Sequence, residues 1–315
     1  MTPGKAYLTP DEIRPLAERS DLWGCLLLLH CWGIIAGALA VFAIWPNPVT
    51  FLAAFILIGS RQLGLAILMH EAAHSALFKK RSVNEFAGEW LCGRPILSDM
   101  VDYRAYHLKH HRFTQTEDDP DLNLSRPFPT TKASLRRKLW RDITGRTGLK
   151  LRAQQIMFSL KMAGEVEGAP TSQDLSQAFA GSSLAKSLFA NAALFAILWA
   201  VGAWWWWLAF WAAPLLTWFQ LVLRVRNIAE HGAVEFSDDP FRNVRTTRAG
   251  PLMSLILAPY WVNYHLEHHM VMHVPCRSLP KMHALLIEKG HGPRMEIGRS
   301  YWDVLRIASS RPAAA

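Results

Sequence analysis

From Ser187 to Leu223 the chain runs for 37 residues without an Asp, Glu, Lys or Arg. At about 1.5 Å per residue, a single helix of that length would reach roughly 55 Å, nearly twice the ~30 Å hydrocarbon core of a bilayer. The run therefore reads as two spans. Trp204 to Trp207 divide them, because tryptophans collect where membrane meets water. A second charge-free run, Leu22 to Trp45, is broken by Pro46-Asn47-Pro48, and apolar sequence then continues to Met69, interrupted by Arg61 and Gln62. The pattern predicts transmembrane helices at about 22–45, 49–69, 187–203 and 206–224, arranged as two hairpins.

Neither predicted hairpin tip carries Lys or Arg, whereas basic residues crowd 75–186 and 224–315. The positive-inside rule then places both termini and both long segments in the cytoplasm. Composition agrees: 51% of residues are hydrophobic, too many for an ordinary soluble domain, while 19% charged is too many for spans alone. The expectation is an all-α membrane protein, one domain over residues 1–315. Two hairpins would carry a helical cytoplasmic cap, residues 70–186 and 225–315, holding a di-metal site. A bacterial inner membrane is the expected location. The polar first 21 residues contain Pro3, Pro10 and Pro15, so no cleaved signal peptide is expected. Residues 162–183 read as a loop, and 251–262 as a stretch too short to cross, lying at the interface. Cys25, Cys31, Cys92 and Cys276 form neither a C-x-x-C pair nor a zinc ribbon, so a reduced compartment is expected.

Nine of the thirteen histidines fall into patterns. They are His70 and His74 in "HEAAH", His107, His110 and His111 in "HLKHH", His231, and His265, His268 and His269 in "HLEHH". Spacings of three and four put each group on one helix face. "HEAAH" alone also spells the zinc-protease motif, with Glu71 as general base. Zinc takes at most four protein ligands, however, and seven further histidines would then have no role. Nine imidazoles suit two metal ions, and imidazole by itself does not choose among Zn, Cu, Fe and Ni.

These three boxes resemble those of the membrane fatty acid desaturase family. "RNIAEHG" is similar to the family's extra element, with His231 as the added histidine and Asn227 reaching a metal through water. "NYHLEHHMVMHVPCRSLPKMH" is similar to its third-box region. The resemblance implies two iron ions, O2 as co-substrate and an acyl chain or other lipid as substrate. It also implies an external electron donor of ferredoxin, rubredoxin or cytochrome b5 type. It leaves hydroxylases and ketolases of carotenoids or other lipids as relatives with the same boxes. A protein that merely binds a ligand in the membrane is the non-enzymatic alternative. No nucleic acid partner is expected.

Around the ligands, acceptors are needed to fix each imidazole's tautomer. "TEDDPD" offers Glu117, Asp118, Asp119 and Asp121, of which Asp119 and Asp121 are selected. Glu71, Glu230 and Glu267 lie within the boxes, and His273 continues the third by four residues. Arg61 and Gln62 are candidates for substrate binding, since a charge inside a span usually has a function. His30 reads as a packing histidine, and His283 and His291 as surface residues. Segment 126–161 holds ten Lys or Arg against the single Asp142. It reads as an amphipathic surface for anionic lipid or for an acidic electron carrier.

Overall fold

Ser20 and Asn47 set where the first two apolar helices begin. The Ser20 hydroxyl accepts from the Trp23 amide at 3.3 Å and starts Asp21–Ile44. Asn47 Oδ1 accepts from Val49 N at 2.9 Å and Thr50 N at 3.1 Å, with Pro48 at the first helical position, and starts Pro48–Ala73. The computed structural model describes residues 7–159 and 184–312; the expected loop at 162–183 lies outside them. Among the described residues, four helices are long and apolar enough to cross a membrane: Asp21–Ile44, Pro48–Ala73, Leu184–Val201 and Trp207–His231.

The first two of these pack along their length. Phe42 meets Phe51 near the connecting turn, and the Cys31 thiol donates to the Arg61 carbonyl at 3.4 Å. The fourth helix joins them through Phe210, whose ring lies 4.8 Å from that of Phe42, and through Trp211, stacked on Trp32. It is not uniform. Trp207–Ala212 is a π-helical turn, and Thr217 (φ −121°, ψ −83°) interrupts it before Trp218–His231.

That last segment runs well past the expected end at 224. Arg224 and Arg226 do not stop it, because each finds a carboxylate inside the protein: Asp142 for Arg224, and Glu230 for Arg226 at 2.6 Å. Asp142, the lone acid of the basic segment, is fully buried.

The remaining chain is mostly short helices, including Arg81–Phe86, Met100–Phe113, Lys132–Ile143, Arg146–Ser159, His265–Met270, Leu279–Glu288 and Tyr301–Ala308. The all-α expectation misses one detail, a two-residue parallel pairing of Thr246 with Ile297 and Thr247 with Gly298.

Two arginines position Met100–Phe113, the helix carrying "HLKHH". Arg94, 1% exposed, donates to Glu89 and to Asp99. Asp99 caps the helix by accepting from Val101 N at 2.9 Å, while Glu89 Oε2 accepts from Met100 N at 3.0 Å. Arg104 then reaches back to the second apolar helix and donates to the Ala73 carbonyl at 2.8 Å and the Ala72 carbonyl at 3.2 Å. The last carbonyls of a helix lack the usual partner four residues on, and that of Ala72 also accepts from Ser75 N at 2.9 Å and Asn84 Nδ2 at 2.8 Å. Gly88 allows the close approach, since a Cβ there would stand 2.4 Å from the Ala72 Cβ.

Candidate metal centre

His70 sits in the last turn of the second apolar helix and His74 at its C-cap. His107, His110 and His111 come from Met100–Phe113, His231 ends the fourth apolar helix, and His265, His268 and His269 come from His265–Met270. Four separate elements thus bring nine imidazoles together.

They sort into two adjoining groups. His70, His74, His107, His111 and His268 offer ligand atoms all within 4.8 Å of one another; so do His110, His231 and His269, and so do Glu230, His231 and His265. His111 Nε2 lies 2.9 Å from His107 Nε2 and 3.0 Å from His268 Nε2. In the other group, His265 Nε2 lies 2.8 Å from His231 Nε2 and 3.1 Å from His269 Nε2. Two nitrogens each about 2.1 Å from one metal, and at right angles to each other, stand about 3.0 Å apart.

The nitrogens left over fit the same reading. Both ring nitrogens of His70, and Nε2 of His74 and of His110, are buried without a hydrogen-bond partner. Buried polar atoms rarely go unpaired, and each would lose energy without a ligand. The donor set therefore fits a pair of metal ions.

Electrostatics keep most of the rings ready to coordinate. Burial, and then the neighbouring imidazoles, hold His107, His111, His265, His268 and His269 well below the usual histidine range. Burial and the Arg104 charge take His74 down to about 3. Neutral imidazole is the form that binds metal. His110 differs: burial pushes it down, but its hydrogen bond to Asp119 and the charges of Asp121 and Asp119 outweigh that and raise it.

The expected supporting residues take distinct places. Asp119 is buried, 2.7 Å from His110 Nδ1, and accepts from Gln115 N at 2.8 Å. Asp121 lies 3.7 Å from the same nitrogen and accepts from the Tyr106 hydroxyl. Glu117 pairs with Arg126 at the surface. Glu71 turns one oxygen to the Cys276 amide at 2.8 Å, leaving the other 3.9 Å from His70 Nδ1. Glu267 is fully buried, 2.5 Å from Thr246 Oγ1 and from His283 Nδ1. His283 is therefore not a plain surface residue. His291 packs against Phe241. His273 lies within electrostatic reach of His74.

Glu230 stands closer to the cluster than a supporting role needs. Its Oε1 accepts from Arg226, while Oε2 is buried, unpartnered and 3.5 Å from His265 Nε2. Asn227 lines the cavity beside the histidines and accepts from Arg226 Nη1 at 3.4 Å. Arg61 and Gln62 face elsewhere. Gln62 donates to the Trp211 carbonyl at 2.8 Å, and Arg61 donates to the Leu255 carbonyl at the edge of a different cavity. Sequence reasoning missed Arg94, Arg104, Arg226 and Thr114, the last 3.2 Å from His269 Nδ1. Only Arg226, four residues before Glu230, carries a spacing that could have marked it.

A sequence model of the fatty acid desaturase family matches residues 43–298. The chain belongs to the fatty acid desaturase family. Two relatives carry the name desaturase. The dihydrorhizobitoxine desaturase of Bradyrhizobium elkanii is 27% identical over 86% of this chain and 76% of its own length. The sn-1 oleoyl-lipid 12-desaturase of Picosynechococcus sp. is 23% identical over 95% of this chain and 85% of its own.

In this desaturase-family chain a cavity of about 240 Å³ opens beside His70, His107, His110, His231 and His265. Leu63, Ala66, Ile67, Phe219 and Leu223 give it an apolar wall, while Asp121, Arg224 and Arg226 give it a polar one. Tyr103 lines it too, its ring stacked on that of His107 at 5.1 Å.

Proposed function

We propose that this chain is an O2-dependent, di-iron desaturase that introduces a double bond into an acyl chain. The observation that carries the reading is the convergence of nine imidazoles into two adjoining groups beside a largely apolar cavity. One iron would be held by His70, His74, His107, His111 and His268. The other would be held by His110, His231, His265 and His269, with Asn227 through water. Bound there, two ferrous ions would supply with O2 an oxidant strong enough to break an unactivated C–H bond, which no side chain can do. In the net reaction a CH2–CH2 unit becomes CH=CH. Its two hydrogen atoms, two electrons and two protons reduce O2 to two waters. The electrons come from a separate ferredoxin, rubredoxin or cytochrome b5 type protein.

The chain's own residues hold the substrate and shape the site. Leu63, Ala66, Phe219 and Leu223 hold hydrocarbon against the histidines and keep water out. Asp119 and Thr114 hold His110 and His269 by their Nδ1 atoms, leaving Nε2 to face inward. A volume of about 240 Å³ is small beside the ~300–1,000 Å³ of most ligand pockets. It suits the stretch of chain around the reacting carbons, with the rest of the substrate outside.

The same reading gives the membrane arrangement. The four apolar helices form two hairpins, and the contacts of Phe42 with Phe51 and of Cys31 with Arg61 support the first. Both termini and the helical cap, residues 70–186 and 225–315 of one domain, face the cytoplasm of a bacterial cell.

Reconstitution with iron, an electron donor and acyl lipids tests the proposal. The expected result is about two irons per chain and a product lighter by two mass units. A single tightly held zinc, with activity retained in the absence of iron, would overturn it. A gain of sixteen mass units would overturn the dehydrogenation while keeping the metal site.

A further inference from the structure

Away from the histidines, a second cavity of about 590 Å³ lies between the first apolar helix and the segment 251–263. It shares no lining residue with the histidine cavity. Leu26, Leu27, Leu255 and Pro259 make its walls apolar. At its inner end His30 Nδ1 meets the Tyr260 hydroxyl at 3.2 Å, and the Arg61 guanidinium lies 5.8 Å from the Tyr260 ring centre.

Arg61 is the unusual member. It is 1% exposed, yet among the described residues it has no carboxylate partner. Arg94, Arg224, Arg226 and Arg245 each have one, and Arg152, which has none, donates instead to both the Leu97 carbonyl and Gln155 Oε1. One Arg61 nitrogen donates to the Leu255 carbonyl, but Nε is buried with no acceptor. An unpaired buried charge costs several kcal/mol, and proteins keep one where an anion completes it.

We propose that this cavity binds a single-chain fatty acid anion, its carboxylate on Arg61 Nε and its hydrocarbon along the apolar walls. The size suits one chain, since it falls in the ~300–1,000 Å³ range of single-ligand pockets. The depth selects against phospholipid. His30 is nine residues into the helix that starts at Asp21, about 13.5 Å along it, whereas a phospholipid phosphate stays at the bilayer surface. The charge favours a monoanion, because the single buried cation of Arg61 would leave a phosphate dianion with one negative charge uncompensated. This site stands apart from the proposed chemistry and does not depend on it.

The test uses the iron-loaded protein in phosphatidylcholine nanodiscs and a long-chain fatty acid bearing a photoactivatable diazirine, with its methyl ester as control. The acid should label peptides containing residues 23–30 and 251–261, and the ester about tenfold less, as expected for loss of one charge-assisted contact. Arg61→Gln should bring the acid down to the level of the ester. Ser254→Trp, which fills the cavity, should abolish labelling by both and gives an answer even if Arg61→Gln fails to fold. Equal labelling by acid and ester would overturn the proposal. So would label confined to residues 63–70 and 219–231, or competition by phosphatidic acid as strong as that by fatty acid.

Discussion

Asp119 Oδ1 lies 2.7 Å from His110 Nδ1, and both side chains are almost fully buried. The carboxylate accepts the Nδ1–H hydrogen bond and so fixes the tautomer that leaves Nε2, otherwise unpartnered, free for a metal. Removing an acceptor of this kind typically costs ten- to a hundredfold in metal affinity. Asp119→Ala should weaken iron binding by roughly that factor, measured by competition with a chelator, and Asp119→Asn, which keeps an acceptor oxygen, should lose less. Unchanged affinity in the alanine variant would show that His110 needs no such partner.

Glu230 presents a different case. With Oε1 on Arg226 and Oε2 unpartnered, 3.5 Å from His265 Nε2, it is placed to join His110, His231, His265 and His269 as a further ligand of the second ion. Glu230→Gln keeps the shape and removes the anion. The expected outcome is a fall from about two irons per chain toward one, with the five-histidine group still loaded, read by iron analysis and Mössbauer spectroscopy. Two irons with an unaltered spectrum would return Glu230 to a purely supporting role.

The Arg94 triad governs stability. Arg94→Met would leave Glu89 and Asp99 buried without their cation and would weaken the start of the "HLKHH" helix. Breaking a buried pair in this way costs about 3–5 kcal/mol. The variant should therefore show a markedly lower melting temperature in detergent and lose metal with it. A triple change to apolar residues should recover part of the stability, because the unpaired carboxylates would be gone.

The apolar helices and the histidine boxes were legible because each is a local pattern: a run without charge, or imidazoles at helical spacing. The expected ends fell within a few residues for the first three helices. The fourth ran on to His231, because the partner of Arg224, Asp142, comes from a tertiary contact that no local pattern records, while Arg226 pairs along the same helix with Glu230 four residues on. Asp119 and Asp121 could be picked out of "TEDDPD", but the turn that buries Asp119 against His110 and leaves Glu117 paired with Arg126 at the surface is set by packing. Arg94 escaped notice for a similar reason. Its partners stand five residues to either side across π- and 3₁₀-helical turns, where the three-and-four rule for helix neighbours does not apply. Arg61 was singled out for its charge, but its direction, away from the histidines, followed from packing alone.

Orientation rests on charge. Pro46, Asn47 and the four tryptophans at 204–207 carry no cation, whereas Lys132, Arg136 and Arg137 belong to a segment with ten. Moving such a segment across the bilayer would carry many basic residues against the cell's potential, at about 2.3 kcal/mol per charge per 100 mV. Labelling of intact cells with a membrane-impermeant thiol reagent checks this, in a background where Cys25, the one exposed cysteine, is replaced by serine. Pro46→Cys and Trp204→Cys should react from outside. Lys132→Cys and Asp118→Cys should react only after the cells are opened. Reaction of Lys132→Cys in intact cells would invert the topology and place the histidine groups on the outer face, out of reach of a cytoplasmic electron donor.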